Sequence, residues 1–260
     1  MSGEKVAIIT GSTSGIGLSC AEVMAENGIN IALHGLMSDD EGNKLAAEMA
    51  EKYGIKTLFD GANLADPASI KAFMARVHKE MGRIDILVNN AGIQHTESLH
   101  DFPDDKWDAI IAINLSSVFH TTKYAVPVMR KQGSGRIVNI ASVHGLVGSA
   151  NKSAYVAAKH GVVGLTKVTA LENAEHGITA NAICPGWVDT PLLQKQIQAH
   201  ADANGLPYDE AKRSIVTTKQ PVPEMADPRM IGEFIMYLSS DHASAISGAA
   251  LPIDGGWTAQ

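Results

Sequence analysis

Tyr155 and Lys159 stand four residues apart in a segment, 153–175, whose apolar positions recur at three-and-four spacing. On a helix that spacing sets both side chains on one side. A free tyrosine loses its proton near ~10, too high for an efficient base at neutral pH. An ammonium beside it stabilises the phenolate and lowers that value. Ser142 follows an apolar run at 135–140 and can donate to a substrate oxygen. The three together suit proton removal from a secondary alcohol, or the reverse. Taken alone, the tyrosine and lysine read equally well as an ordinary helix pair.

The chain's other chemical feature lies near its start. The run 5–10 (KVAIIT) is followed by Gly11-Ser12-Thr13-Ser14-Gly15-Ile16-Gly17, which opens a helical segment. Glycines let the backbone turn sharply and approach a ligand, and a helix N-terminus offers free N–H groups to a pyrophosphate. A tight turn with no ligand is the bland alternative. A P-loop needs a lysine where Ile16 stands, and a nucleophile elbow needs a serine where Thr13 stands.

These residues need a scaffold, and the hydropathy pattern supplies one. Apolar runs at 5–10, 29–34, 55–60, 84–89, 135–140, 178–183 and 249–253 read as strands covered on both faces. Between them, 15–27, 40–53, 67–81, 104–131, 153–175 and 228–240 read as helices. Gly28 and Gly54 are placed as helix terminators, and Asp66-Pro67 as a cap with proline at the first helical position. The alternation predicts an α/β fold, one doubly wound domain over 1–260. The proline-rich stretch 186–227 breaks the rhythm and reads as an inserted flap over a site.

Ligands in such folds sit outside the carboxyl ends of the strands. The polar candidates placed there are Gln94, His144, Lys152 and Gln196, with Trp187 and Trp257. One cation, one imidazole and two amides around a small cleft suit a carboxylate. The tryptophans could wall a short apolar chain. Lys152 also reads as a solvated loop lysine, His144 as a structural histidine, and the tryptophans as core or subunit contacts.

Composition narrows the classes. Lys plus Arg is 21 against 28 Asp plus Glu, a net charge of -7, so nucleic-acid binding has little electrostatic support. Hydrophobic residues make up 45%, enough for a large core, yet no apolar run is long enough for a membrane span. The N-terminal residues lack the pattern of a secretory signal, and Cys20 and Cys184 form no metal or disulfide motif. A cytoplasmic protein with two buried thiols and no metal is expected.

The ordered set Gly11–Gly17, Asn89-Asn90-Ala91-Gly92, Asn114, Ser142, Tyr155 with Lys159, and Pro185-Gly186 resembles the short-chain dehydrogenase/reductase family over essentially the whole chain. The resemblance implies a Rossmann-like domain with a seven-stranded parallel sheet, usually assembled as a homotetramer. It implies that Asn114 holds a water beside Lys159, completing a relay with Ser142 and Tyr155. For the cofactor it implies contacts from Gly11, Thr13, Ser14, Gly15, Ile16 and Gly17 at the phosphates. Leu36, Ala62, Asn63 and Leu64 fall at the adenosine end, Asn63 receiving the adenine amine. Asn90, Ala91, Gly92, Pro185, Gly186, Val188 and Thr190 join Tyr155 and Lys159 around the rest. NAD is favoured over NADP because no cation stands near His34-Gly35-Leu36 to receive a 2′-phosphate.

Within that family, Gly92-Ile93-Gln94-His95 and Ser149–Tyr155, with His144 and Gln196, resemble the branch that oxidises short 3-hydroxy acids. That implies a carboxylate held by Gln94, His144, Lys152 and Gln196, with Trp257 and Trp187 at the methyl end, and (R)-3-hydroxybutyrate as substrate. The rival readings are an oxoacyl-thioester reductase, a polyol or steroid dehydrogenase, and a non-catalytic NAD(H)-sensing module.

Overall fold

The computed structural model describes residues 5–259. Seven parallel strands form one sheet: β1 (Val6–Ile9), β2 (Asn30–His34), β3 (Thr57–Asp60), β4 (Ile86–Asn89), β5 (Gly135–Ile140), β6 (Ile178–Pro185) and β7 (Ala250–Ile253). Their order is β3-β2-β1-β4-β5-β6-β7. The chain therefore winds outward from β1 to one edge, then returns and winds to the other. Every predicted strand is present.

The helices are α1 (Gly15–Glu26), α2 (Asp39–Tyr53), α3 (Pro67–Met81), α4 (Asp104–Ile111), α5 (Ser117–Gln132), α6 (Ser153–Asn173), α7 (Pro191–Asn204), α8 (Tyr208–Thr217) and α9 (Pro228–Leu238). All four residues of β1 are buried because both faces are covered. Ala7 and Ile9 face a core shared with Met24 of α1, Met49 of α2 and Ile231 and Ile235 of α9. Val6 and Ile8 face Ile70 and Phe73 of α3, Ala125 and Met129 of α5 and Ala170 of α6. Alternate residues of a strand point to opposite faces, so an unbroken apolar run is what two covered faces require.

The punctuation is as expected. Gly54 ends α2 at φ 67, and the Asp66 carboxylate accepts the Ala68 N–H at 2.9 Å ahead of Pro67. The segment 104–131 is helical throughout, but a π turn over Ala112–Ser116 separates α4 from α5. The cause is tertiary: Asn114, inside that turn, accepts the Ile93 N–H and donates to the Ile93 carbonyl, both at 2.8 Å. Local periodicity carries no sign of that pull. The stretch 186–227 holds α7 and α8, which pack on each other through Leu193, Ile197, Ala201 and Ala211.

Candidate active site

A cleft of about 600 Å³ opens at the carboxyl ends of the strands, beside β1 and β4 where the strand order reverses. At one end is the glycine turn. Gly11 and Gly15 take φ +64 and +53, values that L side chains resist, and a Cβ on Gly17 would run into the Gly11 carbonyl. The Asn90 amide donates to the carbonyls of Thr10 and Gly11 at 3.0 and 2.9 Å, tying the loop after β4 to the turn. Helices α2, α3 and α9 are capped by the side chains of Ser38, Asp66 and Asp227. The Ser14 side chain makes no such cap on α1, and Ser14, Gly15 and Ile16 line the cleft. Open N–H groups at a helix start, reached over glycine backbone, fit a pyrophosphate.

Thr13, Asn90, Ala91, Gly92, Pro185, Gly186, Val188 and Thr190 also line the cleft, as do Leu36 and Leu64 at its adenosine end. Leu36 is 81% exposed. Among the described residues the only cationic side chains in the wall are Lys152 and Lys159, both at the opposite end. Three residues expected at the cofactor stand outside the cleft wall. Gly17 is not in the wall; its part is to let α1 close on Gly11. The Ala62 carbonyl is taken by the ring of His34 at 2.9 Å. Asn63 folds its side-chain oxygen back onto the Ala65 N–H at 3.0 Å, a local turn that leaves it outside the wall.

At the other end stand Ser142, Tyr155 and Lys159. Ser142 follows β5, and its hydroxyl accepts the His144 N–H at 3.2 Å, opening a short 3₁₀ turn. Tyr155 and Lys159 project from the first turns of α6, which lies close against that turn because residue 145 is glycine: a Cβ there would meet the Lys159 carbonyl. The Lys159 ammonium donates to the Ile140 carbonyl at 2.7 Å and lies 5.6 Å from the centre of the Tyr155 ring. Burial brings its pKa down to about 8. Burial also lifts the Tyr155 hydroxyl above its ordinary value, and Ser142 beside it pulls the other way. Desolvation of the phenol is the larger of these two effects. Asn114 is buried outside the wall, and its side chain makes both of its described hydrogen bonds to Ile93.

Gln94, Lys152, Trp187 and Gln196 line the same end as Tyr155. Lys152 caps the start of α6 and is half-buried, which lowers its pKa. It follows Asn151, the one non-glycine residue described with a positive φ, 62. His144 and Trp257 stand behind the wall. The His144 ring meets Tyr155 edge-on at 6.2 Å and Trp257 at 5.5 Å, and Trp257 lies 5.5 Å from Trp187. Burial first, then the charge of Lys152, holds His144 down at about 4, so its imidazole is neutral at pH 7. Its Nδ1 and the Nε1 of Trp187 are buried with no hydrogen-bond partner.

Residues 5–201 match the short chain dehydrogenase family. The chain belongs to that family. It is 51% identical to the D-beta-hydroxybutyrate dehydrogenase of Cupriavidus necator over 98% of both chains. It is 48% identical to the enzyme of the same name from Rhizobium meliloti, over 98% of this chain and 99% of the other. Its fold superposes at a TM-score of 0.94 on L-sorbose reductase from Gluconobacter frateurii, solved with NADPH and L-sorbose. That pair shares 30% identity over 99% of this chain and 97% of the other.

As a short-chain dehydrogenase the chain is an NAD(H)-dependent oxidoreductase of small hydroxy or keto compounds. Several of its wall residues were not legible in the sequence. Ile93, Ile113, Ile140 and Leu193 are apolar residues that read as core. His34 carries one signal, a polar ring at the end of an otherwise apolar strand. Among the described residues no group of three His, Cys, Asp or Glu is placed to hold a metal. No described helix is long and apolar enough to cross a membrane.

Proposed function

We propose that this short-chain dehydrogenase oxidises a short 3-hydroxy acid with NAD, converting (R)-3-hydroxybutyrate to acetoacetate. One observation carries the acid. The cleft wall of a chain with net charge -7 contains Lys152 and Lys159 but no carboxylate, and Lys152 makes no ion pair, among the described residues. A half-buried ammonium without a partner is a costly group to keep unless an anion meets it. Gln94 and Gln196 stand within the same wall to complete a carboxylate's hydrogen bonds, and neutral His144 adds an N–H from behind. The relatives' names support the particular acid and its hand. NAD over NADP is supported by the absence of any cation beside Leu36 among the wall residues described.

When bound, the nicotinamide supplies the acceptor or donor of hydride. The protein's part is the proton and the pose. Tyr155 Oη takes the hydroxyl proton, and Ser142 Oγ holds the same oxygen. Lys159 supplies positive charge beneath the tyrosine ring, and Asn114 holds the water that reloads it. Trp187 and Trp257 bound the methyl end. The chain acts as one domain over 1–260, with 186–227 as a flap whose paired helices bring Gln196 over the acid and exclude water. A cytoplasmic homotetramer completes the reading, supported by exposed Phe119 and Leu171 on α5 and α6.

The test follows NADH formation by absorbance with each enantiomer of 3-hydroxybutyrate. Turnover of the R form alone is expected. Silence with both, alongside turnover of a polyol or another secondary alcohol, would discard the acid and keep the proton chemistry.

A further inference from the structure

His34 ends β2 fully enclosed, 2% exposed, and clasps the glycine turn with both its main chain and its ring. Its N–H donates to the Ser12 hydroxyl at 2.9 Å, and its carbonyl accepts the Ser12 N–H at 2.8 Å. In the ring, Nδ1 accepts the Gly11 N–H at 3.1 Å, while Nε2 lies 2.9 Å from the Ala62 carbonyl. A carbonyl only accepts, so Nε2 carries the hydrogen and Nδ1 is bare. One neutral tautomer thus joins the first residue of the phosphate turn to the loop after β3. The next residue repeats the closeness, for a Cβ on Gly35 would strike the Thr13 side chain.

We propose that His34 is a positioning residue for the dinucleotide: its neutral ring holds the Gly11 turn in the binding shape, and its protonation releases the turn and weakens cofactor binding in acid. The proposal rests on the dinucleotide reading of the cleft. A proton on Nδ1 would point at the Gly11 N–H, replacing a hydrogen bond with two opposed donors. The surroundings hold the ring neutral at ordinary pH. Burial lowers its pKa below the usual histidine value; its bond to Ala62 and the Asp60 carboxylate act in the opposite sense. Asp60 comes from β3 and is paired with Arg76 of α3 at 2.9 Å. The other packed face is the Phe73 ring of α3, 5.6 Å away. The β1 side presents only Gly11 and Ser12. By linkage, a state that binds cofactor best when unprotonated must lose affinity as that proton is taken up.

The experiment measures the Kd of freshly mixed NADH by fluorescence from about pH 8 down to about pH 5, on the parent chain, His34→Gln and His34→Leu. The glutamine amide can accept and donate but does not titrate in this range. The parent's Kd should rise as the pH falls, most steeply at the acid end of the window, and that of His34→Gln should stay nearly flat. His34→Leu should bind about tenfold more weakly at every pH, having lost the Gly11 bond. Equal acid slopes in the parent and His34→Gln would overturn the proposal even if His34→Leu fails to fold. No NADH binding by the parent at about pH 8 would overturn the dinucleotide reading itself, and the proposal with it.

Discussion

Under the proposed function, Lys152 is the residue on which substrate choice should turn. Its neighbours in the cleft wall offer amides and rings but no negative charge. A hydrogen bond to a charged partner contributes about 1.5–3 kcal/mol. Lys152→Ala should therefore raise KM for the hydroxy acid by about ten- to a hundredfold. KM for an uncharged secondary alcohol should barely move, because Tyr155, Ser142 and Lys159 are untouched. Steady-state kinetics on both substrates checks this, and equal losses on the two would remove Lys152 from carboxylate binding. At this scale the sequence was informative about type and less so about place. Ser142, Tyr155 and Lys159 were found from spacing and come together as expected. The spacing could not reveal that His144 lies behind Tyr155 rather than in the wall, nor that the Lys159 ammonium is held by Ile140. Those positions depend on how α6 meets β5, a contact between residues distant in sequence.

Among the elements, β2 is the one expected to set which dinucleotide enters. Its end delivers His34 to the glycine turn, Gly35 against Thr13, and Leu36 to the open rim. An arginine on that rim would offer a planar pair of donors to a 2′-phosphate, and nothing packs on Leu36 to be disturbed. Leu36→Arg should raise kcat/KM with NADP by about tenfold while that with NAD changes little. Unchanged NADP use would show that the ribose 2′ position lies away from Leu36. The seven strands and most helices were legible because each carries its own period and punctuation, as Asp66-Pro67 and Gly54 do. The π turn was not, because residues 112–116 continue the helical pattern and only the bonds from Asn114 to Ile93 betray the break. At Asn63 too the spacing shows residue type and not the local bond: its side-chain oxygen accepts the Ala65 N–H in a short turn.

For the molecule as a whole, the site carries a cost in stability that pH should expose. Lys159 is 4% exposed, and burial displaces its pKa from 10.5 to about 8. Below about 8 the folded and unfolded chains both hold its proton, and the folded chain bears the full penalty of a buried ammonium, about 3 kcal/mol. Between about 8 and 10.5 the unfolded chain keeps a proton that the folded chain has released. Stability from this group therefore rises with pH across that window. Cys184, which burial raises from 9.0 to about 11, and Tyr155, raised as well, act in the opposite sense at the alkaline end, and the thiol's share is common to the parent and a Lys159 variant. Lys159→Met removes the charge and keeps most of the volume, but it leaves the Ile140 carbonyl without its donor, a loss of about 1–3 kcal/mol. At neutral pH the two changes nearly offset, so the inactive variant should melt within a few degrees of the parent. From about pH 8 to about pH 10 the parent should gain on the variant by roughly 5–10 °C in Tm, because only the parent sheds the buried charge. Thermal unfolding of both proteins over that range measures the difference directly, with the titrations of surface groups common to both. A constant gap would mean that Lys159 enters the fold without the desolvation that its position implies, and that its catalytic charge is held at no expense to stability.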